Sequence, residues 1–329
     1  MRIVSAEEVA ASLPWLALVD RLGDTFLEGV EAPPRHHHAM HRDDGEATML
    51  LMPAWEPAGY IGMKMVNVFP QNAEQGLPAI SGLYVLCEGR HGRPLACIEG
   101  SELTRRRTAA ASALASRALA REDAESLLMV GTGKLAPMLI EAHAAVRPLR
   151  HVRIWGRNPD KAARLAQEYA DRFDCAVVDD LQAAVGESDI VSCATLSREP
   201  LIHGDWLRPG THLDLVGAFR PDMRESDAEC LARGEVFVDT YAGARGEAGD
   251  IHQAVDEGRF RFEAIRAELA ELLRGEQPGR DDAEAITVFK SVGASLEDLA
   301  AAVEVWERLQ DKSQGKDPGK DQGKDEETA

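Results

Sequence analysis

The chain has 329 residues, 44% hydrophobic and 28% charged, which is the balance of an ordinary globular protein and enough length for two domains of roughly 100–200 residues each. A net charge of -19 without any basic, aromatic-interleaved patch argues against a nucleic-acid partner, and no apolar run reaches the ~20 residues that span a bilayer. The five scattered cysteines (Cys87, Cys97, Cys175, Cys193 and Cys230) suggest neither a disulfide framework nor a zinc site.

The opening residues mix charges among apolar positions and do not read as a secretory signal, so a cytoplasmic location is expected. A helix is predicted over 5–13. Strands at 60–70 (YIGMKMVNVFP) and 82–89 (GLYVLCEG), separated by Gly and Pro turns, make 1–112 a mixed α+β domain. The alanine-rich stretch 104–120 is a strong helix former that connects this domain to the next.

From about residue 126 short apolar runs alternate with helical stretches. Strands are predicted at 126–131, 152–157, 175–180, 189–195, 211–218, 235–240 and 285–291, with helices at 137–148 and 161–173. This is the signature of βαβ units, and it makes 113–290 an α/β domain of Rossmann type, a doubly wound parallel sheet with helices on both faces. The segment 291–310 contains a helix, SLEDLAAAVEVWERLQ, expected to return to the first domain. The tail 311–329 repeats GKD and holds almost nothing apolar, so it is expected to be disordered.

Residues 131–136, GTGKLA, fit G-x-G-x-x-A between a strand and a helix. Gly131 permits the tight turn, Gly133 lets the backbone approach a pyrophosphate, and Ala136 allows close packing of helix on strand, with Lys134 and Leu135 completing the loop. At the end of the next strand, where an NAD-binding protein usually carries an acid, the chain reads GRNPDK (156–161). Arg157, with Asn158 beside it and Lys161 one turn on, suits a 2′-phosphate, which favours NADP(H). NAD(H) stays open through Asp160.

The ordered segments PPRHHH (33–38), GMKMVNVFP (62–70), LTRRRTAAASALA (103–115), GTGKLA, GRNPDKA, DIVSCATLSREPLI (189–202), VGAFRPDMRE (216–225), EAGDI (247–251) and TVFKSVGASLEDLAAA (287–302) resemble the ornithine cyclodeaminase and mu-crystallin family over nearly the whole chain except the tail. The resemblance implies a Rossmann domain, a substrate domain that also forms a homodimer, and a small α-amino or α-imino acid substrate. By position within these motifs, Arg35, Lys64 and Arg107 correspond to the residues that hold the substrate carboxylate. Arg107 also falls on the cofactor side, with Thr195, Val216, Ser291 and Val292 lining the nicotinamide. Lys64 is independently conspicuous, because a charge inside an apolar strand is costly unless something pairs it.

One departure redirects the chemistry. Ornithine cyclodeaminases place an aspartate after the VG-small triplet as acid–base group, and here that position is Phe219, which exchanges no proton. Asp222 and Asp227 lie nearby in sequence. The VGAFRPDMRE form resembles the family's ketimine reductases, so reduction of Δ1-pyrroline-2-carboxylate to proline, or of Δ1-piperideine-2-carboxylate to pipecolate, is expected, with Lys64 orienting substrate and delivering a proton. Cyclodeamination, an alanine dehydrogenase-like reaction and a non-catalytic ligand-binding role are the alternatives. The run His36, His37 and His38 invites a metal, yet neighbouring side chains in an extended segment point to opposite faces, so no metal site is expected.

Overall fold

Two sheets and the helices between them make up the computed structural model, which describes residues 1–42, 45–57 and 59–314. The first part contains β1 (Arg2–Val4), α1 (Ala6–Ser12), α2 (Trp15–Leu27), β2 (His36–Arg42), β3 (Gly45–Trp55), β4 (Tyr60–Val68), β5 (Ile80–Glu88) and β6 (Pro94–Glu99). Its strands run in the order β1-β6-β5-β4-β3-β2, antiparallel except where β1 joins β6. Early in β4 burial alternates as the pleat requires, with Gly62 and Lys64 inward and Ile61 outward.

Six strands are present where the sequence pattern predicts two. The missed β2, HHHAMHR, is exposed along almost its whole length at the sheet edge, so it lacks the apolar alternation that marks a half-buried strand. In β3 a proline, Pro53, disguises a long strand whose register with β4 continues on both sides of it.

Helix α3 (Gly100–Leu119) leads out of this sheet. Glu99 caps its start by accepting from the Ser101 and Glu102 amides, and the helix passes position 112 without a break. Alanines and serines dominate its buried faces, allowing other helices to approach closely.

The second part continues with β7 (Ser126–Val130), α4 (Ala136–Val146), β8 (His151–Trp155), α5 (Pro159–Tyr169), β9 (Asp174–Val177), α6 (Leu181–Glu187), β10 (Ile190–Cys193), β11 (His212–Leu215), α7 (Ala228–Arg233), β12 (Glu235–Val238), α8 (Tyr241–Glu247), α9 (Gly249–Asp256), β13 (Ala267–Glu268), α10 (Leu269–Leu273), β14 (Thr287–Lys290) and α11 (Ser295–Ser313). Its eight strands are all parallel, in the order β13-β12-β14-β11-β10-β7-β8-β9. From β7 the chain builds outward through β8 and β9, then returns to place β10 on the other side. That reversal opens a crevice beyond the carboxyl ends of β7 and β10, the general ligand position in open α/β sheets.

The last helix, α11, packs on α2 and α3 and against β3, β4 and β5. One apolar cluster therefore runs from Val9 and Leu22 through Leu103 and Leu299 to Leu127 and Leu139, joining both parts. The expectation of disorder from 311 is corrected at its start, because α11 continues to Ser313; residues 315–329 lie outside the described residues. Among the described residues no helix is long and apolar enough to cross a membrane.

Candidate active site

Two groups of side chains meet where the first sheet faces the carboxyl ends of the second. The first group is cationic. Lys64 sits in the inward row of β4 between Met52 and Tyr84 and is only 3% exposed. Its Nζ lies 2.6 Å from Asp298 Oδ2. Arg107, carried into the same place by α3, donates from Nε to Asp298 Oδ1 at 3.0 Å and from Nη1 to Glu297 Oε2 at 2.6 Å. Both acids belong to the first turn of α11, a position where carboxylates also complement the helix dipole.

Arg35 reaches in from the segment before β2. Its Nη2 donates to the Gly293 carbonyl at 2.6 Å and its Nε lies 3.0 Å from Glu247 Oε1. Gly293 stands between the two arginines: its φ is +83°, and a Cβ there would overlap Arg107 Nη1. Only glycine satisfies both conditions. The loop holding it is fixed by buried Asp239, whose Oδ2 accepts from the Val292 and Gly293 amides at 2.8 and 2.6 Å.

Burial sets the electrostatics. Loss of solvent pushes the Lys64 ammonium down to about 8, Asp298 opposing this and Arg107 reinforcing it. Burial likewise pushes Glu297 up to about 7, against the pull of Arg107. Burial also works upward on Asp298, yet Arg107 and Lys64 outweigh it and hold this carboxyl below its ordinary value. Asp298 is thus the fixed anion of the cluster, and Lys64 an ammonium that gives up its proton near pH 8.

The second group surrounds the glycine turn. Gly131 has φ +122°, and a Cβ on it would lie 2.6 Å from the Ala194 carbonyl at the end of β10. Its amide donates to the Trp155 carbonyl at 2.9 Å, which latches the turn to the end of β8. A Cβ on Gly133 would meet nothing within 4 Å, so the backbone there is open to close approach, and buried Ala136 begins α4 against β7. These features fit the pyrophosphate of a dinucleotide.

Lys134 and Arg157 are exposed beside the turn, Leu135 is half-buried, and Val216 and Ser291 are buried at the ends of β11 and β14. Asn158 caps α5, its Oδ1 accepting from the Lys161 amide at 3.0 Å. Thr195 gives both its amide and its hydroxyl to buried Glu225, at 2.6 and 2.8 Å. Phe219 is half-buried just beyond. Asp222 is exposed and paired with Arg220 and Arg198, while Asp227 caps α7 and accepts from the Gly204 amide, so both acids are committed elsewhere. His36, His37 and His38 lie exposed on β2, and the described residues contain no group of three His, Cys, Asp or Glu side chains arranged to hold a metal.

The structure brings Arg35, Lys64 and Arg107 together around Gly293 and Asp298. Sequence reasoning missed Asp298, Glu297, Asp239 and Glu247, the acids that hold this cluster in shape, and Glu225, which holds the Thr195 and Gly217 loops. Acids in ASLEDL read as ordinary helix-start residues, and nothing local reveals partners some 190 residues away.

Residues 4–313 match the family model described as the Ornithine cyclodeaminase/mu-crystallin family. The chain belongs to this family. It is 40% identical over 304 residues to a Delta(1)-pyrroline-2-carboxylate reductase from Paracoccus denitrificans, covering 92% of this chain and 95% of the relative. Its fold superimposes on the Thermococcus litoralis Delta(1)-pyrroline-2-carboxylate reductase in complex with NADH and L-proline with a TM-score of 0.89, at 31% identity and covering 95% and 98% of the two chains. An archaeal alanine dehydrogenase dimer with bound NAD gives 0.87 at 28% identity, covering 95% and 97%.

Proposed function

We propose that this protein reduces a cyclic ketimine carboxylate at the expense of a nicotinamide dinucleotide, converting Δ1-pyrroline-2-carboxylate to L-proline. One observation carries the reading: three cations on separate elements converge beyond the carboxyl end of the sheet that carries the glycine turn, while Phe219 holds the motif position where the resemblance to cyclodeaminases would require an acid. The named reductases among the relatives support it.

Arg35 and Arg107 would grip the substrate carboxylate through charge-assisted hydrogen bonds, and Lys64 would add charge beside the imine carbon. With its ammonium pushed down to about 8, Lys64 is poised to hold or release a proton near the imine nitrogen. The dinucleotide would lie over Gly131 and Gly133, with Thr195, Val216 and Ser291 along its nicotinamide end, and it supplies the hydride. Fixing both partners in one geometry accounts for much of such catalysis. Exposed Arg157 makes no ion pair among the described residues, so its charge is free for a 2′-phosphate; this favours NADPH, with NADH as the other cofactor. The exposed edge of β2 and the dimeric alanine dehydrogenase support a homodimer built through the first sheet. Δ1-Piperideine-2-carboxylate, one methylene larger, is a second substrate on the same chemistry.

The test is dinucleotide oxidation by purified protein with each imine, with pyruvate plus ammonia in parallel. Turnover of the pyrroline without ammonia is the expected result. Release of ammonia from ornithine with no imine turnover would overturn it, and strict ammonia dependence would move the reading to an alanine dehydrogenase.

A further inference from the structure

The buried carboxylate of Glu225 is used by none of the steps above, yet it touches the cofactor crevice from below. Its side chain is wholly excluded from solvent. Oε1 accepts from the Thr195 amide at 2.6 Å and the Thr195 hydroxyl at 2.8 Å, and Oε2 accepts from the Gly217 amide at 2.6 Å. Thr195 follows β10 and Gly217 follows β11, so a single carboxylate ties the ends of two adjacent strands.

The tie extends to the glycine turn. A Cβ on Gly217 would overlap both the Thr195 carbonyl and Glu225 Oε1, and a Cβ on Gly131 would lie 3.4 Å from Thr195 Cγ2. Gly131, Thr195, Gly217 and Glu225 therefore form one contiguous stack, whose upper surface is the crevice. The base is equally fixed. Asp250 Oδ1 accepts from the Glu225 and Ser226 amides, both at 2.8 Å, and Lys290 Nζ lies 3.4 Å from Asp250 Oδ2.

We propose that Glu225 is the positioning residue of the cofactor site, its carboxylate drawing the Thr195 and Gly217 loops into the surface on which the nicotinamide end of the dinucleotide rests. This rests on the reductase reading, and it adds a determinant of cofactor affinity that touches neither substrate nor cofactor. Three short bonds to one buried anion are charge-assisted, and a neutral side chain in its place cannot accept from both loops.

Protonation offers an independent handle. Burial pushes the Glu225 carboxyl up to about 7, with Asp250 reinforcing and Lys290 opposing. Cys193 on β10 also faces it, its thiol pushed far up by burial and so neutral. Arg224, next in the chain, spends its charge on Glu257. The carboxylate form, with all its acceptors available, prevails above pH 7.

The experiment is a fluorescence titration of the full chain with NADH between about pH 5.5 and 8.5, for the wild type and for Glu225→Gln. NADH is the probe because a phosphate monoester such as that of NADPH itself titrates near pH 6. Expected is a dissociation constant that rises about tenfold in the wild type as pH falls through 7, and a Glu225→Gln protein whose constant stays, at every pH, at about ten times the value the wild type reaches above pH 7. The KM for the imine at saturating NADH stays the same, which a merely structural defect would not leave untouched. A Gln variant with wild-type affinity, or a wild-type constant flat across the range, overturns the proposal. The wild-type profile stands even where Glu225→Gln fails to fold, and Thr195→Val, which removes one bond to the carboxylate, is expected to move its midpoint upward; a fixed midpoint counts against the proposal. A wild type that binds NADH at no pH defeats the nicotinamide reading itself.

Discussion

Lys64 and Asp298 form an ion pair of 2.6 Å with both side chains shut away from solvent, although one stands on an inner strand of the first sheet and the other on the last helix. Such a pair is strongly destabilising to break, because the survivor is a buried and uncompensated charge. Asp298→Asn leaves Lys64 in that condition and Arg107 with Glu297 alone. The expected loss is roughly 3–5 kcal/mol of stability by denaturant titration, together with most of the activity. Unchanged stability would show that the two cations find other partners.

The Lys64 ammonium, pushed down to about 8, sets a pH limit. If its charged form serves the substrate, kcat/KM is level below that value and falls with increasing pH above it. Because folding depresses the titration of this group from its ordinary value of 10.5, its contribution to stability is present above about 10.5 and lost as pH falls through about 8. Activity and this part of stability thus change in opposite directions. Lys64→Ala should cost roughly 10²–10⁴-fold in kcat/KM and abolish the alkaline limb; a surviving limb at the same position would assign it to another group.

Two glycines separate the two halves of the site. Gly131→Ala puts a side chain at φ +122° and within 2.6 Å of the Ala194 carbonyl, so dinucleotide binding should be lost. Gly293→Ala displaces Arg107 while leaving the glycine turn untouched. It should raise the imine KM and weaken dinucleotide binding far less than Gly131→Ala does. Calorimetric titration of each variant with each ligand checks the contrast.

Arg157→Ala tests cofactor choice. The side chain is exposed and pairs with nothing among the described residues, so its removal should leave folding intact. The ratio of kcat/KM for NADPH over NADH should fall by about tenfold or more, as befits loss of a charge-assisted contact to phosphate. An unchanged ratio would remove Arg157 from that role.

The parts of this fold that were readable in the sequence are those where each residue's environment is set by near neighbours. The parallel strands of the second sheet are apolar runs buried on both faces, and the glycine turn carries its constraint in its own backbone. Lys64 was legible because a lysine in an apolar strand demands a partner. Its partner was not, since Asp298 is a first-turn acid with a sufficient local reason to be there. Glu225 was hidden for a similar reason: flanked by Arg220, Asp222 and Arg224, it reads as one more charge in a solvated loop, and only the fold shows it turned inward. β2 was invisible because an edge strand facing water on most sides has no pattern to display.

Only residues 291–294 separate the last strand of the dinucleotide sheet from the helix whose first turn grips Lys64 and Arg107. Ser291 lies on the strand side of this link, Gly293 touches both Arg35 and Arg107, and Asp239 pins the middle. The link works as a ruler. On the proposed reading, the gap between hydride donor and acceptor is set by a few peptide units, so a larger imine ring would be accommodated by the walls around it while this length stays constant.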